Sequence, residues 1–206
     1  NEKNVKKEII SAAQFLTNFY NDNNNANNKS SIAPRLDSIL LQQLANNFNT
    51  YPAIDDIPIY YMVPLIKLLN FQSINYEIAV QYVENEVFWQ AYCSQANYHL
   101  LNNHQMSYKQ LYIEEYIQSL FESYTPTHDG HNYQLLLNKI HISGPYIKSL
   151  HIQQLLAHTD IIPLFNEIYQ LNSLNITYGR KNIDMHYHQN MYGIHENDCY
   201  HLAQYL

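Results

Sequence analysis

Apolar positions fall into two textures along the chain. Up to about residue 124 they recur at three- and four-residue spacing, the pattern of one-sided helices. Leu36, Ile39, Leu40, Leu44 and Phe48 predict one such helix, with Pro34 suited to its first turn. A second is expected over about Tyr60 to Leu69, behind Ile57-Pro58. Asn75 is placed to cap a third, with Ile78, Ala79 and Tyr82 turned inward, and a fourth holds Val87, Phe88, Trp89 and Tyr92. The strongest helix start is Ser107-Tyr-Lys-Gln110, which has capping-box spacing ahead of Leu111, Tyr112, Leu120 and Phe121. Nearer the start, residues 2–20 carry Ile9, Ile10, Ala13, Phe15, Leu16 and Phe19 and predict a short amphipathic helix. The Asn-rich tract Asn21 to Ser31 follows, with Ala26 its sole apolar residue; unable to bury a core, it reads as a linker.

Beyond the turn cluster Thr125-Pro-Thr-His-Asp-Gly130 the texture changes. Ile147-x-x-Leu150-x-Ile152 and Leu171-x-x-Leu174-x-Ile176 both fit L-x-x-L-x-L, the strand of a leucine-rich repeat, and Leu150 and Leu174 stand 24 positions apart, within that repeat's period. Between them Asp160-Ile-Ile-Pro163 is expected to open a helix holding Leu164, Phe165, Ile168 and Tyr169. A loop through Tyr178-Gly179 then leads to Asp198, Cys199, Leu202, Ala203 and Leu206 at helical spacing. The expected fold is mostly α. Residues 1–31 form an N-terminal helix and Asn-rich linker, 32–130 a helical domain, and 131–206 the first strand–helix units of a leucine-rich-repeat solenoid. One such unit buries one flank only, and stable arrays need about three. Further repeats beyond Leu206, or a partner on the open end, are therefore expected; the opening residue Asn1, in place of Met, likewise suggests a piece of a longer protein.

Composition narrows the function. The 206 residues are 46% hydrophobic but only 14% charged, well under the usual level of about 25%. Eleven basic against 18 acidic residues leave −7, which gives no electrostatic footprint for a phosphate backbone. Four Gly, seven Pro and two Cys exclude collagen and disulfide-stapled mini-domains. The distant pair Cys93 and Cys199 fits a reducing compartment. No basic stretch followed by an apolar run opens the chain, and the apolar tract Ile57 to Phe71 is broken by Pro58, Pro64 and Lys67, so a soluble intracellular protein is expected. Twenty Tyr supply rigid contact area of the kind enriched at protein interfaces, although codon bias and core filling account for them equally well.

Candidate chemistry is sparse. His186-x-His188, with His195 and Cys199, has metal-binding residue types but no supporting carboxylate or second thiol at defined spacing. Cys93 with His99 or His104 lacks any nucleophile motif around it, so a packed thiol is expected. Glu84 with Glu86, and Glu114 with Glu115, read as helix-surface charge. With only Gly130, Gly144, Gly179 and Gly193, phosphate-cradling loops are absent. No catalytic, cofactor-binding or metal residues are assigned, no cofactor is expected, and an enzyme is not the expected class.

An ordered set of motifs carries a resemblance. Glu86-Val-Phe88-Trp89-x-x-x-Cys93 is followed by Ser107-Tyr-Lys-Gln-Leu-Tyr-Ile-Glu-Glu-Tyr116 with Leu120 and Phe121. Then come Gly144-Pro-Tyr-Ile-x-x-Leu150-x-Ile152-x-x-Leu155, Leu171-x-x-Leu174-x-Ile176-Thr-Tyr-Gly-x-Lys181 with Met185, and Asp198-Cys-x-x-Leu202-Ala203. Over most of residues 34–206 this resembles the amino-terminal portion of the T-complex-associated testis-expressed leucine-rich-repeat family, the fifth subunit of the nexin–dynein regulatory complex of motile cilia. The resemblance implies a non-enzymatic structural and regulatory subunit in the axoneme, within the cytoplasm and cytoskeleton of the motile cilium. It would link doublet microtubules and regulate dynein-driven motility, with other subunits of that complex and axonemal proteins as partners and neither nucleic acid nor membrane. A looser alternative rests on Ile57-Pro58 and Phe88-Trp89, which resemble an F-box-type module before leucine-rich repeats, the arrangement of a ubiquitin-ligase substrate adaptor.

Overall fold

The computed structural model describes residues 33–98, 106–124, 130–155 and 166–178, together with Glu196, Cys199, Tyr200 and Ala203. The chain forms two compact units, residues 1–99 and 100–206. The described residues are mostly helical, with two short parallel strands. The expected helix at 2–20 and its Asn-rich linker lie outside the described residues.

Among the described residues of the first unit there are four helices, α1 (Ala33–Asn46), α2 (Ile59–Leu68), α3 (Tyr76–Tyr82) and α4 (Glu86–Gln95), with short 3-10 turns at Ala53–Asp56 and Phe71–Ser73. Asparagine marks two of the starts. Asn75 Oδ1 accepts the N–H groups of Glu77 at 2.9 Å and Ile78 at 3.3 Å, and Asn85 Oδ1 those of Val87 at 3.0 Å and Phe88 at 3.1 Å. Asn49 ties the loops together, donating to Ser73 O and accepting from Asn75 N, both at 2.7 Å. The core is aromatic at its centre. Phe48 stacks on Phe88 at 5.4 Å, Phe71 meets Phe88 and Tyr92, and the fully buried Trp89 donates its indole N–H to Val83 O at 2.9 Å.

Two positions expected to face inward face out, for one reason. The buried stripe of α1 is Leu41, Leu44 and Phe48, and Ile39 lies two residues, about 200°, from Leu41, which leaves it half exposed at 50%. In α3 the stripe is Tyr76, Ala79, Val80 and the following Val83; Tyr82 is two residues past Val80 and is 63% exposed. Ile78 is half-buried.

In the second unit α5 (Tyr108–Ser123) begins where Ser107 Oγ accepts Gln110 N at 3.1 Å. Gly130, at φ 68°, leads into α6 (His131–Ser143), a helix that the strand-rich reading of 131–206 did not include. Of its residues Leu136, Ile140 and Ser143 alone are buried. A 3-10 turn, Gly144–Tyr146, delivers the chain to β1 (Ser149–Leu155), which pairs in parallel with β2 (Ser173–Tyr178). The register sets Leu150 opposite Leu174 and Ile152 opposite Ile176, then breaks before Leu155 opposite Tyr178. Ahead of β2, Asn166-Glu167 are helical and Tyr169 lies in a turn instead of a helix, 70% exposed beside the buried Ile168; residues 160–165 are outside the described set. The compact units divide at 99, whereas the change of sequence texture falls near 130, because α5 packs along β1.

Candidate functional site

Helix α5 repeats one short pattern: Gln110, Glu114, Gln118 and Glu122, four residues apart and hence on one face. Gln110 Nε2 donates to Glu114 Oε1 at 2.9 Å, and Gln118 Nε2 donates to Glu122 Oε1 at 3.1 Å. Each amide thereby orients the carboxylate one turn further on. The same oxygens accept backbone N–H groups at β1. Glu114 Oε1 takes Lys148 N at 2.8 Å and Ser149 N at 2.9 Å, and Glu122 Oε1 takes Gln153 N at 2.9 Å. Gln154 Nε2 adds a bond to Glu122 O at 3.0 Å.

The two elements keep step. Eight residues of helix from Glu114 to Glu122 rise about 12 Å, and four residues of strand from Ser149 to Gln153 rise about 13 Å. The carboxylates therefore meet strand positions four residues apart, whose N–H groups share one edge. The opposite edge serves β2: Lys148 O accepts Asn172 N at 2.7 Å and Ser173 N at 3.2 Å. Glu114, only 8% exposed, tolerates burial because three donors converge on one of its oxygens. Among the described residues its neighbour Glu115 gains no such partner. Burial pushes the Glu115 carboxyl above its ordinary range, Glu114 and Glu122 raise it further, and His151 pulls the other way.

The turn between α6 and β1 is fixed independently. Buried Lys109 donates Nζ to Tyr146 Oη at 3.0 Å and lies 4.2 Å above that ring. Gly144 packs directly under the backbone carbonyl of Glu167, whose side chain meets His141 Nδ1 at 2.8 Å. Glu114 and Glu122 are engaged by the protein's own backbone donors, so this arrangement holds a strand in place.

Glu114 thus corrects the surface-charge reading of the Glu114–Glu115 pair, since it is buried and bonded to β1. Glu84 and Glu86 are exposed as expected, and Cys93 is packed in the core at 1% exposure. His99, His104, His186, His188 and His195 lie outside the described residues; Cys199 is exposed. Among the described residues no group of His, Cys, Asp or Glu is placed to hold a metal ion, and no helix is long and apolar enough to cross a membrane. Gln118 and Glu122 are not singled out by the sequence reading, and Gln110 figures there only as the capping-box residue, although the tandem Q-x-x-x-E spacing is visible in the sequence.

The second unit thus docks a parallel strand pair onto a carboxylate-bearing helix. No family model matches the chain. It is 28% identical over 175 residues to dynein regulatory complex subunit 5 of Chlamydomonas reinhardtii, an alignment covering 83% of this chain and 44% of that protein. With the protein of the same name from Mus musculus it shares 19% identity over 201 residues, covering 84% of this chain and 40% of the relative. The chain is thus similar to dynein regulatory complex subunit 5 of two organisms, and it spans about two-fifths of the length of these curated proteins.

Proposed function

We propose that this chain is part of a non-catalytic subunit of the dynein regulatory complex in the axoneme of motile cilia. In this role it joins other subunits of the complex, helps link neighbouring doublet microtubules and regulates dynein-driven motility. The single observation that carries the reading is the similarity to dynein regulatory complex subunit 5 along more than four-fifths of the chain in two organisms. A joint whose carboxylates are engaged by backbone donors supports a scaffold over an enzyme. The strand pair supports the finer fold, the start of a leucine-rich-repeat solenoid: Leu150 and Leu174 pair in register at one repeat period. The ubiquitin-ligase alternative is not carried forward, because Ile57, Phe88 and Trp89, the residues that suggested it, are buried in the first unit's core. A fluorescently tagged full protein should stripe the axoneme along the cilium, and disrupting the gene should impair beating while cilia still assemble. A tag excluded from cilia, or unaltered motility in the disrupted line, overturns the proposal.

A further inference from the structure

A strand edge is a row of unpaired N–H and C=O groups, and any such row is a template for another strand. β1 has two edges. One pairs with β2, and on the other the N–H groups of Ser149 and Gln153 donate to Glu114 and Glu122. We infer that α5 is an end cap: Glu114 and Glu122 close the outer edge of β1, so that a further strand joins this sheet at β2 alone. What joins at β2 rests on the solenoid reading above, whereas the closure of β1 rests on its own hydrogen bonds.

A strand approaching the outer edge must displace two carboxylates, each held by its own glutamine. The bonds it would break are charge-assisted, and those it would make are neutral amide pairs of roughly half the strength. Displacement would also leave Glu114 buried with its backbone donors lost, a state whose cost opposes the exchange. Burial across the ladder points the same way. Leu150 and Ile152 are 2% and 3% exposed, while their partners Leu174 and Ile176 are only half-buried. Among the described residues the apolar layer is complete at β1 and incomplete at β2.

The cap has a consequence for self-association. A chain with one open edge can pair with a second copy through that edge, which closes on itself and stops at a dimer. A chain with both edges open can add copies head to tail without closing. Glu122 is half-buried, so Glu122→Ala opens the edge at Gln153 with little cost to the core, and Glu122→Gln keeps a carbonyl acceptor there. The experiment is light scattering over a concentration series on the full chain, with amide hydrogen exchange read at Gln153. For Glu122→Ala, exchange at Gln153 should rise tenfold or more at low concentration, where copies are unpaired, and the mass should grow beyond a dimer as concentration is raised. The parent and Glu122→Gln should stop at a dimer or below. Faster exchange at Gln153 with the parent's mass distribution overturns the inference, and so does unchanged exchange. Should Glu122→Ala fail to fold by circular dichroism, Gln118→Ala removes only the amide that orients the carboxylate and is read in the same way. Neither measurement depends on cilia or on added repeats, so failure of the cap is distinguishable from failure of the functional reading.

Discussion

Leu150 stands directly across the parallel ladder from Leu174, yet the two are unequal: Leu150 is 2% exposed and Leu174 is half-buried. α5 covers the first strand, and among the described residues no further strand pairs with the second. The asymmetry sets an order of energies. Leu150→Ala should destabilise the chain by about 2–5 kcal/mol, the usual range for a buried Leu. Leu174→Ala should cost about 1 kcal/mol, because less apolar surface leaves contact. Urea unfolding of both variants checks this, and equal or reversed costs would show that the first strand is no better covered than the second.

Asn85 caps α4 with one oxygen that accepts two N–H groups, and the next turn carries Phe88 and Trp89 into the core. Asn85→Ala should cost about 1 kcal/mol, whereas Asn85→Asp should be near neutral at pH 7. Thermal unfolding distinguishes the pair; a full loss in the Asp variant would mean that the oxygen is not what matters.

Gly130 and Gly144 are required for different reasons. At Gly144 an added Cβ would run into the carbonyl of Glu167, a backbone atom that cannot swing aside. Gly144→Ala should therefore cost at least about 1–3 kcal/mol, as overpacking does. Gly130 has open space around it but a φ of +68°, so Gly130→Ala should cost about 1–2 kcal/mol from backbone strain alone. Shaving the Glu167 side chain should rescue neither variant, and denaturant melts of the double variants with Glu167→Ala test that.

Glu115 supplies a pH signature. Its carboxyl is raised in the folded chain by burial, then by Glu114 and Glu122. The folded state therefore binds this proton more tightly than the unfolded state does. Its stabilising contribution is complete below the ordinary carboxylate pKa and fades as pH rises through the raised value. Glu115→Gln should accordingly stabilise the chain at pH 7, with the advantage shrinking as the solution is acidified toward the carboxylate range. Melting temperatures across that range measure it. An advantage that stays constant with pH would rule out titration of Glu115 as the source.

Much of this architecture was readable along the chain. Ser107 and Asn75 announce their helices because a cap is made within three residues, and the repeated L-x-x-L-x-I spacing announced the pairing of Leu150 with Leu174. Ile39 and Tyr82 misled because spacing at three and four admits neighbouring stripes, and only the partner surface selects among them. The carboxylate joint was hidden for a related reason. Glu114 and Glu122 occupy positions that on an isolated helix would face water, and their donors lie more than thirty residues away in sequence.

The capped helix starts at Asn75 and Ser107 and the spacing that pairs Leu150 with Leu174 follow from the order of residues alone, since each depends on contacts within a turn or on a repeated period. Which face of α1 or α3 is buried, and that Glu114 and Glu122 bind backbone in place of solvent, depended on what each element packs against. Burial and charge are properties of a surrounding, and that surrounding is assembled from distant parts of the chain.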